Sequence, residues 1–124
     1  MQSRQYLPAH PIVFVMDFSN DAVEVPQYDP EHVAASSNTC VSVRTIADVD
    51  GEVTVFLADR PPSDAEGLGR HVLTGGIQVP SGAVAVVTSE NEKLLERSIG
   101  KKTVELQVFV DDEEHPARVW FFVK

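Results

Sequence analysis

Carboxylates are the side chains in this sequence that could do chemistry, and they are concentrated in two short stretches. The first stretch precedes a glycine, and the second is an unbroken acidic run. Together they are Asp48, Asp50, Asp111, Asp112, Glu113 and Glu114. Carboxylate oxygens at loop tips are typical ligands of Ca²⁺, and concentrated negative charge also attracts basic proteins over long distances. These six residues are therefore our candidate partner-binding site.

A metal site is the weaker of the two interpretations. Residues 48–51, Asp-Val-Asp-Gly, are explained by turn chemistry and lack the further oxygen ligands of a dedicated calcium loop. The four histidines are far apart, and no two have the i, i+4 spacing of a helical metal pair. We predict no metal and no cofactor, and we keep a calcium- or lipid-responsive, C2-like β-sandwich as the alternative function.

No stretch of the sequence matches a catalytic motif. The glycines at 67–69 and 74–76 are not followed by a lysine and a helix, as a phosphate-binding loop requires. The serines have no nucleophile-elbow sequence around them. The one cysteine, Cys40, cannot form an internal disulfide, and we predict that it is buried and inert. We therefore predict a protein that is not an enzyme. An enzyme of unrecognised type would need a pocket with converging polar groups.

The charge balance limits the classes of partner. Ten Lys and Arg residues stand against 19 Asp and Glu residues, giving a formal net charge of -9. This charge opposes binding to nucleic acid or to anionic membranes and favours cationic partners, although plain solubility is the simpler explanation, since many cytosolic proteins are acidic without a basic partner. The apolar run at 12–16 is too short for a membrane span and lacks a small-residue cleavage site. We expect a soluble, cytoplasmic protein.

Alternating apolar residues predict mostly strands. Residues 39–59 form two alternating runs around Asp50-Gly51, which predicts a β-hairpin, since Asp-Gly tolerates the positive φ angles of a tight turn. Residues 103–110 and 117–123 predict a second hairpin with the acidic run at its tip. The last strand carries Trp120, Phe121 and Phe122, so that one face belongs to the core and the other is a second core layer or an exposed contact patch.

The remaining segments complete the predicted fold. Residues 12–16 and 83–88 predict strands buried on both faces, after about ten irregular residues at the start of the chain. Residues 22–25 predict a short edge strand that could support a homodimer. Asp29 and Pro30 predict a helical N-terminus with one or two turns after it, and residues 89–98 have a helix-like composition.

Three features are expected between these segments. Residues 60–69 predict a surface loop, Gly75-Gly76 predicts a bulge or a turn, and residues 80–82 predict a turn. Since turn signals recur about every ten residues, we predict one domain over residues 1–124. Its predicted fold is an all-β, antiparallel β-sandwich of seven to eight short strands with one or two short helical turns. A small barrel is the second choice.

The order of these elements resembles the ComJ family, the competence-protein inhibitors of a DNA-entry nuclease. The matching points are the strand at 13–18, the helix after Tyr28-Asp29, the strand at 41–45, the turn at 79–82 leading into 83–89, and Ile99-Gly100 leading into 103–109. The sequence departs from the family at Tyr28-Asp29 and Ala35-Ser36, where a Trp-Thr pair and a Gly are expected. The resemblance implies a non-catalytic binding module, an inhibitor or immunity-like partner whose acidic loops meet the basic groove of a nuclease.

Overall fold

The computed structural model describes residues 1–60 and 69–124, and in these residues the chain forms ten strands. Most of the surface loop predicted at residues 60–69 therefore lies outside the described residues. The strands are β1 (Gln2–Tyr6), β2 (Ile12–Met16), β3 (Ala34–Ser36), β4 (Cys40–Arg44), β5 (Val53–Ala58), β6 (Arg70–Gln78), β7 (Ala83–Thr88), β8 (Lys93–Ser98), β9 (Thr103–Val110) and β10 (Arg118–Val123).

The strands form two sheets of five. The first sheet has the order β1-β5-β10-β9-β6, and the second has the order β3-β4-β2-β7-β8. Neighbouring strands are antiparallel, except that β5 and β10 run parallel. The all-β fold class is confirmed, with ten described strands in place of seven or eight and one 3-10 turn as the helical element of the described residues.

Alternation along the strands builds one core between the sheets. Val13 and Val43 from the second sheet belong to the same buried cluster as Val55, Leu106 and Phe121 from the first. All five side chains are fully buried. Since burial of apolar area is the main favourable term in folding, this shared cluster is what holds the two sheets face to face.

The hairpin predicted for residues 39–59 is wrong. The first of its two runs, β4, pairs with β2 and β3, whereas the second run, β5, pairs with β1 and β10 in the other sheet. The connection contains the 3-10 turn Asp48–Asp50, and Gly51 has a φ of +123°. The glycine does supply the positive φ that the sequence indicated, but the chain crosses between the sheets there, and alternation alone cannot distinguish the two arrangements.

The helix predicted after Asp29-Pro30 is wrong, and the helix-like composition of residues 89–98 does not produce a helix. The Oδ1 atom of Asp29 accepts a hydrogen bond from the backbone N of Glu31 at 2.9 Å, as a cap would, but the chain then continues into β3. Within residues 89–98, Asn91 adopts a φ of +63° in a turn, and β8 follows, paired with β7. In both places the ladder hydrogen bonds to a neighbouring strand override a local helical preference.

Other local predictions have mixed outcomes. Residues 22–25 form no strand, whereas the first residues, predicted to be irregular, contain β1. The strand β6 runs unbroken through Gly75-Gly76, and its irregularity lies between His71 and Leu73 instead. The predicted turn at 80–82 is present, with Gly82 at a φ of +79°. The hairpin of β9 and β10 is confirmed.

The aromatic residues of β10 belong to two buried layers. Phe121 lies in the core between the sheets, whereas Trp120 and Phe122 form a second cluster on the outer face of the first sheet. The ring of Trp120 stacks on Phe56 with centroids 5.1 Å apart, and Phe109 meets Phe122 edge to face at 5.7 Å. Of the two interpretations of this face, the structure supports the second core layer, because both β10 side chains are almost fully buried.

Replacing Phe121 tests the shared core. Phe121→Ala removes a fully buried aromatic ring, so we expect a loss of about 3 to 5 kcal/mol in the free energy of unfolding. Urea-induced unfolding measures this loss. Val49→Ala is the control, because Val49 is 88% exposed and its truncation should change the free energy by no more than about 0.5 kcal/mol. Equal effects of the two substitutions would contradict the core assignment.

Candidate functional site

The two acidic stretches lie at the same end of the sandwich. The backbone N of Ile46 donates to the carbonyl oxygen of Pro116 at 2.9 Å, and the N of Thr54 donates to the oxygen of Ala117 at 2.8 Å. Because β5 and β10 are parallel, the connections that precede them enter the first sheet at the same end. We call this surface the acidic end and define it by Asp48, Asp50, Asp111, Asp112, Glu113 and Glu114.

Asp111 and Asp112 shape the loop between β9 and β10. The Oδ1 atom of Asp111 accepts hydrogen bonds from the backbone N of Ala117 at 3.0 Å and of Arg118 at 3.1 Å. The Oδ1 atom of Asp112 accepts from the N of Glu114 at 2.8 Å and of His115 at 3.1 Å. These amide donors, first Glu114 and then His115, hold the pKa of Asp112 below its ordinary value. Both carboxylates thus have a structural role in the loop.

The other four carboxylates of the acidic end have no such role. The side chains of Asp48, Asp50, Glu113 and Glu114 make no hydrogen bond or ion pair with any other described residue, and all four residues are exposed. Arg70 lies close to this acidic loop, since it lines a surface depression of about 340 Å³ together with residues 111–114. The acidic end therefore combines a fixed loop with carboxylates that are free to contact a partner.

The acidic end shows no arrangement suited to a metal. In residues 1–60 and 69–124, no three His, Cys, Asp or Glu side chains are grouped closely enough to hold a metal ion. The histidines lie at separate exposed positions. His10 contacts Ser89 at 3.0 Å, and His71 contacts Thr74 at 2.6 Å. Each pair joins an imidazole to a hydroxyl on the open surface, and within residues 1–60 and 69–124 neither imidazole has the third orienting group that an activated nucleophile needs.

A buried carboxylate at the opposite end is structural. Asp17, which follows β2, is 1% exposed. Its oxygens accept hydrogen bonds from the backbone N of Ser19 at 3.0 Å, the backbone N of Ser81 at 2.7 Å and the Oγ of Ser81 at 2.7 Å. A buried carboxylate with three donors is fully satisfied. It ties the end of β2 to the turn before β7, and the sequence carries no signal for this long-range contact.

The structure also contains a pocket that the sequence did not indicate. It has a volume of about 330 Å³ and lies between the outer face of the second sheet and the segment 25–33. Its walls are mainly apolar, and Arg44 and Asp29 are its charged groups among the described residues. Two large apolar side chains of the segment, Val25 and Tyr28, remain 57% and 74% exposed. These two apolar residues were the sequence feature that could have indicated the pocket, but they follow neither the helical nor the strand periodicity.

The acidic loop gives a pH-dependent prediction at Asp112. A carboxylate whose pKa is lowered on folding stabilises the folded state above its unfolded pKa, and that contribution is lost as pH falls through the folded pKa. We expect the Asp112 carboxyl carbon to titrate below 3.8 by NMR, and the amide shifts of Glu114 and His115 to change with it. In Asp112→Asn these acid-range changes should disappear. A midpoint at or above 3.8 would contradict the loop geometry.

Cys40 gives a second prediction. The side chain is fully buried, and desolvation raises the pKa of its thiol to about 12. Because the thiolate is the reactive form, native Cys40 should react with a disulfide reagent at pH 8 at least about a hundredfold more slowly than in urea. The absorbance of the released thiol measures both rates. Similar rates in the two conditions would show that Cys40 is accessible in the folded protein.

Comparison with known proteins shows a similarity in fold. No family model matches the sequence, and no curated protein matches it. The structure is similar to the crystal structure of ComJ, inhibitor of the DNA degrading activity of NucA, from Bacillus subtilis. The TM-score is 0.71 at 10% identity, covering 99% of this chain and 94% of that chain. It is also similar to the structure of Crocagin biosynthetic gene J, with a TM-score of 0.55 at 13% identity, covering 98% of each chain.

These matches confirm the ComJ-like fold expected from the order of elements, although the short helix used as one matching point is absent from the described residues. The chain therefore has the architecture of ComJ over almost its whole length.

No helix in the described residues has the length and apolar character needed to cross a membrane.

Proposed function

We propose that this protein is a non-catalytic binding module that inhibits a basic nuclease, or confers immunity to it, by placing the acidic end against the nuclease's DNA-binding groove. The observation that carries the proposal is that the fold joins two acidic loops from separate parts of the sequence. It leaves four of their six carboxylates without a described protein partner.

Electrostatics supports an acidic protein as the partner of a nuclease. A groove that binds DNA carries Lys and Arg to neutralise phosphates, so an acidic surface can occupy it by the same attraction. The net charge of -9 adds a long-range component that raises the association rate at low salt. The hydrogen bonds of Asp111 and Asp112 fix the loop before binding, which lowers the entropic cost of ordering it.

The similarity to ComJ supports the inhibitor function in particular. ComJ is the inhibitor of the DNA degrading activity of NucA, and the similarity in fold extends over 99% of this chain. At 10% identity, the surface residues that select a partner are free to differ, so we leave the identity of the nuclease open. We also propose a cytoplasmic location and one folded unit over residues 1–124. A homodimer through an edge strand stays a prediction, although residues 22–25 cannot supply that strand.

Affinity capture with matched baits tests the function. The wild-type protein and the quadruple variant Asp48→Asn, Asp50→Asn, Glu113→Gln, Glu114→Gln are immobilised, and extract from the native source is applied at low salt. Bound proteins are eluted by a salt step and identified by mass spectrometry. We expect the wild type to retain a basic nuclease and the variant to lose it, because the variant removes the unpaired charges and keeps the loop-shaping Asp111 and Asp112.

The control removes charge from another part of the surface. Asp21→Asn with Glu105→Gln neutralises two exposed carboxylates away from the acidic end, and this bait should still retain the nuclease. The retained nuclease is then purified, and inhibition of its DNA cleavage is measured against salt. Inhibition should weaken at least about tenfold between low and physiological salt. Capture of no nuclease, or equal capture by the wild-type and quadruple-variant baits, would overturn the proposal.

A further inference from the structure

The pocket on the outer face of the second sheet has the construction of a ligand site. Its floor comes from neighbouring outward positions on three strands, since Ile12 is paired with Arg44 and Ala35 with Ser42. Its roof is the segment 25–29, which has no regular secondary structure. A volume of about 330 Å³ lies within the range of small-molecule pockets, which are typically concave and mainly apolar.

The roof segment is held at both ends and not in the middle. At one end, the backbone N of Glu24 donates to the Oγ1 of Thr39 at 2.8 Å. At the other, Arg44 donates from its backbone N to the oxygen of Val33 at 2.8 Å and from Nη1 to the oxygen of Pro30 at 3.2 Å. Between these attachments, residues 25–28 make no hydrogen bond to any described residue. The segment therefore spans the pocket without collapsing onto the sheet.

Arg44 gives the pocket its chemical preference. The guanidinium has five N–H donors, and its one described hydrogen bond uses Nη1. It forms no ion pair with any residue in the described part of the chain. The carboxylate of Asp29 differs, because its Oδ1 accepts from the N of Glu31 and its Oδ2 contacts the Nδ1 of His32 at 2.6 Å. The donors of the pocket that are left for a ligand are therefore those of Arg44, whereas both oxygens of Asp29 already have partners.

We propose that this pocket binds a small molecule with an apolar, preferably aromatic, body and one carboxylate. The apolar body fills the space between Ile12 and the roof, where it removes apolar surface from water. The carboxylate accepts the free N–H donors of Arg44, which present the planar geometry that carboxylates match. The net charge of -9 opposes anion binding in general, so the local donors of half-buried Arg44 must provide the attraction for the carboxylate. The proposal does not depend on the function of the acidic end.

A matched pair of probes tests the proposal. The probes are 4-phenylbutyrate and its uncharged amide, 4-phenylbutanamide, titrated into ¹⁵N-labelled protein and followed by the amide shifts of the NMR spectrum. We expect the shifts to be confined to the floor strands and the roof, including Ile12, Ala35 and Ser42. We expect the acid to bind at least about tenfold more tightly than the amide, since only the acid forms a charge-assisted hydrogen bond.

Three variants separate the contributions. Arg44→Gln should weaken the acid at least about tenfold and change the affinity for the amide less than about twofold. Ala35→Leu should abolish binding of both probes by filling the pocket. Arg118→Gln, which removes the same charge from the other sheet, should leave both affinities unchanged.

The spectra also show whether each variant keeps its fold, because shifts outside the pocket should match the wild type. If Arg44→Gln does not fold, Arg44→Lys takes its place. This variant keeps the charge but loses the planar pair of donors, so it should lower the affinity for the acid more than the affinity for the amide. Absence of binding by both probes would overturn the proposal. So would equal affinity for acid and amide, or shifts located away from the pocket.

Discussion

The parallel pairing of β5 with β10 is the constraint on which the rest of the structure depends. It places the starts of the two strands side by side, with backbone hydrogen bonds from Thr54 to Ala117 and from Ile46 to Pro116. It also sets Phe56 opposite Trp120, so that their rings stack on the outer face of the first sheet. The position of the acidic loops and the second aromatic layer thus follow from one strand register.

The two ends of the sandwich differ in charge. The acidic end gathers the connections that precede β5 and β10, whereas Arg97, Lys101 and Lys124 line one depression at the opposite end, where Arg97 pairs with Asp59. The opposite end also carries Asp59 and Glu105, which offset part of its positive charge, so the acidic end has the greater excess of one sign. An excess of charge at one end gives a protein a preferred orientation in the field of an oppositely charged molecule, and orientation before contact raises the fraction of productive encounters.

The two faces of the sandwich are used differently. On the first sheet, Trp120 and Phe122 fill the outer face with a second buried layer. On the second sheet, an irregular segment covers the outer face and leaves a pocket beside Arg44. The aromatic side chains on the first sheet bury one another. The segment over the second sheet is attached to that sheet only at its ends, and it leaves a cavity beneath it. The acidic end and the pocket are therefore separate features of one fold.

The sequence by itself determined the all-β fold class, the burial of Cys40 and the β9–β10 hairpin, because alternation and turn residues act between neighbours in the chain. It did not determine which strands pair. The run at 39–59 has the pattern of a hairpin, yet its halves lie in different sheets, since the same alternation satisfies either partner.

The same distinction applies to the sites. The six carboxylates were visible in the sequence, but only the parallel register of β5 and β10 brought them together. Only the hydrogen bonds of the folded loop separated Asp111 and Asp112, which shape it, from the four carboxylates left exposed. The pocket was decided entirely by tertiary structure, because its walls come from residues whose proximity depends on strand pairing and not on spacing along the chain.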